Sequence, residues 1–313
     1  MYRKRRKIQS YRGTSRGHFG GSFKFIVIAV IALAVVSALI TGAVLGKNAE
    51  KSGVGSFGRH NLTDFGGVKE PAEDYESLGT LKAAYVLSAG VDRQGFKSAV
   101  NNADEGNAIA FKTGDGAGNL FFASEAAAKI GSGLTAVSTV TASEIAEIIS
   151  DEGRLAVAYF YSSAFAEEDD AVRIAKSAEE TALMSELANA GVDEIVVFGL
   201  PDDSDHSKNL KAYMAGLEAA CGTANICVAL SNTYLGGTGA TRVINATEGY
   251  ADAYAADLSG FSGDALASAI ERYAYFITNY NMRLIVSAAD ETVKNDTLTL
   301  LGAYGIESYL FID

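Results

Sequence analysis

The feature that most constrains the fold is a regular alternation of short apolar runs with helical stretches, which extends from residue 81 to the end of the chain. This alternation is typical of a parallel sheet covered by helices. There are eight apolar runs, at residues 81–87, 108–111, 155–161, 194–198, 226–230, 253–257, 284–287 and 308–312. Because a (β/α)8 barrel usually takes about 250 residues, eight strands over this length predict an α/β fold of the TIM-barrel type.

A doubly wound open sheet has the same local pattern and is the alternative. The number of strands and the absence of a phosphate-binding fingerprint favour the barrel. Thr141 and Glu144 form a capping-box sequence, and Gly191 marks the end of another predicted helix. The sequence stops at Asp313, directly after the eighth predicted strand, so no eighth helix is predicted to follow it.

The N-terminal region contains an uncharged apolar run at residues 25–45, which is preceded by eight Lys or Arg residues and no acid. At ~1.5 Å per residue, a helix of this length can span a hydrocarbon core of ~30 Å. We therefore predict a cytoplasmic basic tail at 1–24, a single-pass transmembrane signal anchor at 25–46, a stalk or linker at 47–79 and an extracytoplasmic barrel at 80–313. A cleaved signal peptide is the alternative, although its apolar region is usually only ~7 to 15 residues long.

Charge and composition exclude several classes of function. Outside the basic tail, the chain has 18 of its 26 Lys and Arg residues and all 38 of its acidic residues. This part therefore has a formal charge of about −20, which opposes nucleic-acid binding. With only three histidines, no metal site is predicted. No cofactor is predicted either, because the glycine-rich residues 114–119 do not lead into a helix. Cys221 and Cys227 are six residues apart, which leaves both a disulfide and free thiols open.

Carboxylates follow many of the predicted strands, where a barrel of this type carries its active site. Glycoside cleavage needs two of them, about 5 to 5.5 Å apart for retention or ~6.5 to 9.5 Å apart for inversion. We predict that Asp203, with Asp290 or Glu291, forms a catalytic pair, and that Asp115, Asp202 and Asp257 bind substrate. The alternative is that these acids form turns and cap helices.

Tyrosines are the other candidate ligand contacts, because the chain has no Trp. Tyr159, Tyr161, Tyr234 and Tyr254 lie at or near strand ends, where their rings could stack on a sugar. Packing at the barrel mouth is the ordinary alternative for each of them.

Two segments resemble a known family. Residues 107–124, NAIAFKTGDGAGNLFFAS, and residues 190–201, AGVDEIVVFGLP, are similar to a bacterial family of glycosyl-hydrolase-like domains with a (β/α)8 barrel. The resemblance covers roughly residues 80–201. It implies a barrel that acts on or binds carbohydrate.

The sequence also departs from this family at the barrel mouth. Between Ile195 and Pro201 it has neither the Asp nor the Arg of the family, and residues 161–164 replace an Arg and a Phe-Lys-Asp segment. These departures imply a degenerate member that binds a cell-wall or extracellular polysaccharide, or a surface partner, with weak or lost catalysis. An active glycoside hydrolase with a pair of strand-end carboxylates is the alternative.

Overall fold

The computed structural model describes residues 79–86, 91–103, 106–116, 118–130, 134–202, 207–235 and 238–312. The predicted basic tail, the signal anchor and all of the linker except Gly79 lie outside the described residues. Within the described ranges, no helix is long and apolar enough to cross a membrane.

Eight parallel strands close into a barrel, which confirms the predicted fold class and excludes the open sheet. The barrel strands follow one another in chain order, and the last strand pairs with the first. Their bounds are Lys82–Tyr85 for β1, Ala108–Lys112 for β2, Leu155–Tyr161 for β5, Glu194–Phe198 for β6, Asn225–Ser231 for β7, Ala253–Asp257 for β8, Arg283–Ser287 for β9 and Tyr309–Ile312 for β10.

Helices connect the strands. They are α1 (Arg93–Asn101), α2 (Glu125–Ile130), α3 (Ala142–Asp151), α4 (Asp170–Ala190), α5 (Ser207–Ala220), α6 (Thr238–Thr247), α7 (Gly263–Asn279) and α8 (Glu291–Ala303). The predicted capping box is present at α3, where Thr141 accepts a hydrogen bond from the Glu144 backbone N–H and Glu144 accepts one from the Thr141 backbone N–H. Gly191 ends α4 with φ of 100°, a left-handed conformation that glycine adopts without steric cost.

The connection from β2 to β5 contains a small second sheet that the apolar pattern does not predict. Its strands β3 (Asn119–Leu120) and β4 (Thr135–Ala136) pair with each other in parallel. In the chain, β3 precedes α2 and β4 follows it. A turn follows β2, and the Phe121 backbone N–H donates to the Thr113 carbonyl across it over 2.9 Å. Leu120 pairs with Gly114 across this turn in an antiparallel bridge, and it also pairs in parallel with Ala136 of β4.

Side chains fill the barrel interior in layers, as the alternation of each strand requires. Alanines such as Ala83, Ala108 and Ala255 occupy much of the interior, and large rings occupy it towards the carboxyl ends of the strands. The opposite face of each strand packs against the helices. Both cysteines are free and buried, which settles the open question of a disulfide. Cys227 belongs to the interior cluster and Cys221 to the outer cluster, so the two thiols lie on different faces of the sheet.

A buried ion pair lies near the amino-terminal end of the barrel. The Arg283 guanidinium at the start of β9 donates to the Glu194 carboxylate at the start of β6, and the two residues are 3% and 0% exposed. Burial raises the pKa of the Glu194 carboxyl, and the charge of Arg283 opposes this rise. The pair contributes polar groups to a layer that otherwise consists of apolar side chains.

Candidate functional site

Four aromatic rings form a continuous column in the upper interior of the barrel. The Tyr85 ring stacks on Tyr159 with centroids 6.1 Å apart, and Tyr159 meets the edge of Phe198 at 5.6 Å. Phe198 in turn stacks on Tyr161, with centroids 4.6 Å apart and an interplanar angle of 15°. The column therefore ends at the carboxyl edge of β5, which is the face where barrel enzymes carry their sites.

The two tyrosines of β5 have different environments. Tyr159 is completely buried, and its hydroxyl donates to the Phe311 carbonyl over 2.6 Å. Tyr161 is half-buried at the last position of the strand, and burial together with the charge of Asp257 raises the pKa of its hydroxyl to about 12. Of the two predicted sugar-stacking tyrosines in β5, Tyr161 is accessible at the mouth, whereas Tyr159 supports the column from below.

Polar side chains surround the aromatic column at the same face. The Lys112 ammonium lies 5.6 Å from the centroid of the Tyr85 ring, within the range of a cation–π interaction. Asp257 at the end of β8 accepts hydrogen bonds from the Ser259 backbone N–H and hydroxyl, both at Oδ1. Within the described residues, Asp257 Oδ2 accepts no hydrogen bond, so it can receive one from a ligand hydroxyl.

A groove of about 360 Å³ opens beside Tyr161, between the turn that follows β2 and helix α4. One wall is the glycine-rich turn, where a Cβ atom on Gly114 would lie only 2.5 Å from the Asn119 carbonyl oxygen. The opposite wall carries Lys176, Glu179 and Glu180 of α4. Tyr161 lines this groove and also ends the aromatic column, so it is the residue that the two features share.

Adjacent glutamates of α4 have opposite environments in the groove. Glu180 is buried and accepts hydrogen bonds from the Ser163 and Ala164 backbone N–H groups, from the Ser162 and Ser163 hydroxyls and from the Tyr213 hydroxyl. It therefore fixes the loop that follows β5. Glu179 is half-buried and has no hydrogen-bond partner among the described residues, and burial raises the pKa of its carboxyl.

The predicted carboxylates are distributed over several local structures. Asp290 is the N-cap of α8 and accepts a hydrogen bond from the Val293 backbone N–H over 2.8 Å. Glu291 is exposed in the first turn of that helix, where its carboxylate accepts a hydrogen bond from the Asn295 amide. Asp203, the predicted partner of these two acids, lies outside the described residues.

The remaining predicted residues also have defined positions. Asp115 is exposed and accepts hydrogen bonds from the Asn119 backbone N–H and side-chain amide, which stabilise the turn. Asp202 is half-buried against α6, since a Cβ atom on Gly239 would lie 2.7 Å from its Oδ2. Tyr234 is half-buried and packs against the outer core. Thus the barrel brings Tyr159, Tyr161 and Asp257 together at one face.

Five contributors to this face were not predicted from the sequence: Tyr85, Lys112, Glu179, Glu180 and Phe198. Phe198 ends the apolar run 194–198 as Tyr161 ends the run 155–161, and this shared position could have identified it. No local pattern marks Glu179 or Glu180, because their roles depend on the loop packed against α4. In the described part of the chain, no group of three or more His, Cys, Asp or Glu side chains could hold a metal ion.

Comparison with known proteins supports the fold. No protein-family model matches the sequence, and no curated protein matches it. Among solved structures, the chain is similar to a protein assigned as an alpha-L-fucosidase from Bacteroides thetaiotaomicron, with 9% identity, a TM-score of 0.54 and coverage of 84% of this chain and 91% of the other.

Two further solved structures are similar to the chain with lower TM-scores. A sugar phosphate isomerase/epimerase from Parabacteroides distasonis has 11% identity, a TM-score of 0.47 and coverage of 77% of this chain and 88% of the other. A protein assigned as chitinase A from Streptomyces coelicolor has 12% identity, a TM-score of 0.43 and coverage of 74% of this chain and 80% of the other.

Proposed function

We propose that this protein is a membrane-anchored, extracytoplasmic barrel that binds a cell-wall or extracellular polysaccharide, or a surface partner, with weak or lost catalysis. The predicted anchor at residues 25–46 would hold the barrel at the membrane surface. The binding face is the carboxyl end of the barrel, at Tyr161 and Asp257.

The observation that carries this proposal is the stacked pair of Tyr161 and Phe198 at the mouth, with their centroids 4.6 Å apart. A sugar ring can pack its C–H face on Tyr161, whose ring is already oriented by the stacked Phe198 ring on the neighbouring strand. Asp257 Oδ2 can then accept a hydrogen bond from a sugar hydroxyl group. Such a face binds a saccharide without any reacting group.

The environments of the carboxylates favour binding over turnover. Asp115, Asp290 and Glu180 each accept hydrogen bonds that stabilise a turn, a helix start and a loop. A glycosidase requires a general acid and a second carboxylate on opposite sides of the scissile bond. These three carboxylates instead have structural partners, so they are poor candidates for that pair.

Active glycoside hydrolysis is the second candidate function, and Glu179 is the residue that favours it. Burial raises the pKa of its carboxyl, which is the direction that a general acid of a glycosidase requires. In that case Asp203 would be the candidate for the second carboxylate.

The binding proposal is tested with the full chain in a detergent that has no sugar headgroup. Binding of cellohexaose, chitohexaose and solubilised peptidoglycan fragments would be measured by microscale thermophoresis. We expect at least one glycan to bind, and Tyr161→Ala to weaken that binding by about tenfold or more, since aromatic anchors dominate such sites. Tyr275→Ala removes an exposed tyrosine of α7 and is the matched control.

Two results would contradict the proposal. If the wild type and Tyr161→Ala bind the glycan equally well, the mouth of the barrel is not the binding face. Release of reducing sugar from the bound glycan, abolished by Glu179→Gln or Asp203→Asn, would establish the hydrolase instead.

The location is tested separately by digesting intact bacterial cells that express the chain with an external protease. The protease should degrade the barrel and spare the basic tail.

A further inference from the structure

The groove beside Tyr161 has a net negative charge, because Lys176, Glu179 and Glu180 are its charged lining residues. Of its three charged lining residues, Lys176 forms an ion pair with Glu167, and Glu180 is surrounded by hydrogen-bond donors of the loop after β5 and of α5. Glu179 has neither an ion-pair partner nor a hydrogen-bond donor among the described residues. It is therefore the carboxylate that a ligand entering the groove would meet.

The opposite wall is suited to close approach of a small polar ligand. Gly116 and Gly118 of the turn have φ of 72° and 105°, and neither has an atom within 4 Å of the position that a Cβ would take. The turn therefore leaves open space in front of Gly116 and Gly118. At about 360 Å³, the groove falls at the lower end of the ~300–1,000 Å³ range of small-molecule sites.

We propose that this groove is a subsite for a cationic sugar unit, one with a free amino group, next to the unit that stacks on Tyr161. The inference rests on the proposed function, because Tyr161 belongs to both surfaces. The ammonium of the sugar would donate to the Glu179 carboxylate in a charge-assisted hydrogen bond. The hydroxyl groups of the same unit would face the glycine turn and the half-buried Ser163.

This arrangement selects among glycans by charge. An N-acetylated amino sugar has no positive charge, and its acetyl group would leave the Glu179 carboxylate desolvated without a counter-charge. An acidic sugar would be repelled by the same carboxylate. The preferred ligands are therefore glycans whose amino sugars have lost their acetyl groups.

The test compares two hexasaccharides that differ only in acetylation: hexa-glucosamine and chitohexaose. The full chain, in a detergent without a sugar headgroup, is titrated with each at pH 7 and low salt. We expect hexa-glucosamine to bind about tenfold more tightly than chitohexaose, which is the selectivity that one charge-assisted hydrogen bond can provide. Glu179→Gln should reduce this preference to less than about twofold, and Tyr161→Ala should weaken the binding of both ligands.

A control is needed because the acidic chain could attract any cationic oligosaccharide without specificity. Glu307→Gln removes the same charge from an exposed residue before β10, at the opposite end of the barrel, and should leave the preference unchanged. If chitohexaose binds through Tyr161 but hexa-glucosamine has no advantage, the cationic subsite is wrong and the proposed function stands. If the preference persists in Glu179→Gln, the subsite is also wrong. If no glycan binds at all, both proposals fail.

Discussion

Replacing Glu180 with Ala should destabilise the protein strongly, although glutamates on helices usually tolerate substitution. The Glu180 carboxylate accepts five hydrogen bonds, and two of the donors, the Ala164 backbone N–H and the Tyr213 hydroxyl, belong to residues that are 0% and 5% exposed. An unsatisfied buried donor costs about 1–3 kcal/mol, so these two donors alone predict a loss of ~2–6 kcal/mol.

Water is expected to reduce this loss. Glu180 lines the groove beside Tyr161, so solvent can enter the space that the side chain leaves and hydrate part of the loop. We therefore expect Glu180→Ala to lower the free energy of unfolding by about 2–4 kcal/mol, and the melting temperature by roughly 4–16 °C. Both are measured with the full chain, by urea titration and by thermal circular dichroism.

The neighbouring residue provides a matched control. Glu179→Ala removes the same side chain from the same helix, but Glu179 accepts no hydrogen bond from the described residues, so the free energy of unfolding should change by less than about 0.5 kcal/mol. Tyr213→Phe should fall between the two variants, at ~1 kcal/mol, because it removes only one of the five bonds. If Glu180→Ala and Glu179→Ala are equally stable, Glu180 does not fix the loop as described.

Three further predictions concern the interior and the groove. Arg283→Met should cost about 3–5 kcal/mol because it leaves the buried Glu194 carboxylate without a counter-charge, and a double variant that also has Glu194→Leu should recover much of this loss. In the Arg283→Met variant, the pKa of Glu194 stays above its value in the unfolded chain. The free energy of unfolding of this variant should therefore decrease as the pH rises through the ordinary carboxyl pKa, and a flat pH profile would contradict this. Burial raises the pKa of both cysteine thiols, so Ellman's reagent should not react with the native chain and should react with both thiols after unfolding, whereas a disulfide would leave the unfolded chain unreactive. The affinity for hexa-glucosamine should fall on acidification, starting at a pH above the usual carboxyl range because burial raises the pKa of Glu179, and Glu179→Gln should remove this dependence.

The barrel itself could be predicted because its signal is local and repeated. The predicted runs at 155–161, 194–198 and 253–257 coincide with β5, β6 and β8, since strands buried on both faces appear as continuous apolar runs. The strands β3 and β4 have only two residues each, which is too short to produce any periodicity. They form because the chain between β2 and α3 folds back on itself and brings β3 beside β4. The apolar pattern of the sequence does not predict this pairing.

The candidate site could be predicted only in part, for a physical reason. An Asp between a strand and a helix satisfies the same sequence pattern whether it caps the helix or reacts with substrate, and Asp290 is found to cap α8. The role of Glu180 depends on Tyr213, which is 33 residues away in the chain and adjacent to it in the fold. That Tyr159 and Tyr161 share one face of β5, in contrast, follows from their spacing of two residues along the strand.

The most direct test of the binding proposal is a crystal structure of the full chain soaked with the tightest-binding hexasaccharide. We expect intact glycan at the carboxyl end of the barrel, with one ring stacked on Tyr161 and an amino group beside Glu179. A cleaved glycan in that position would show that the barrel is an active hydrolase. Glycan bound on the outer helices, away from Tyr161, would contradict the proposed binding face.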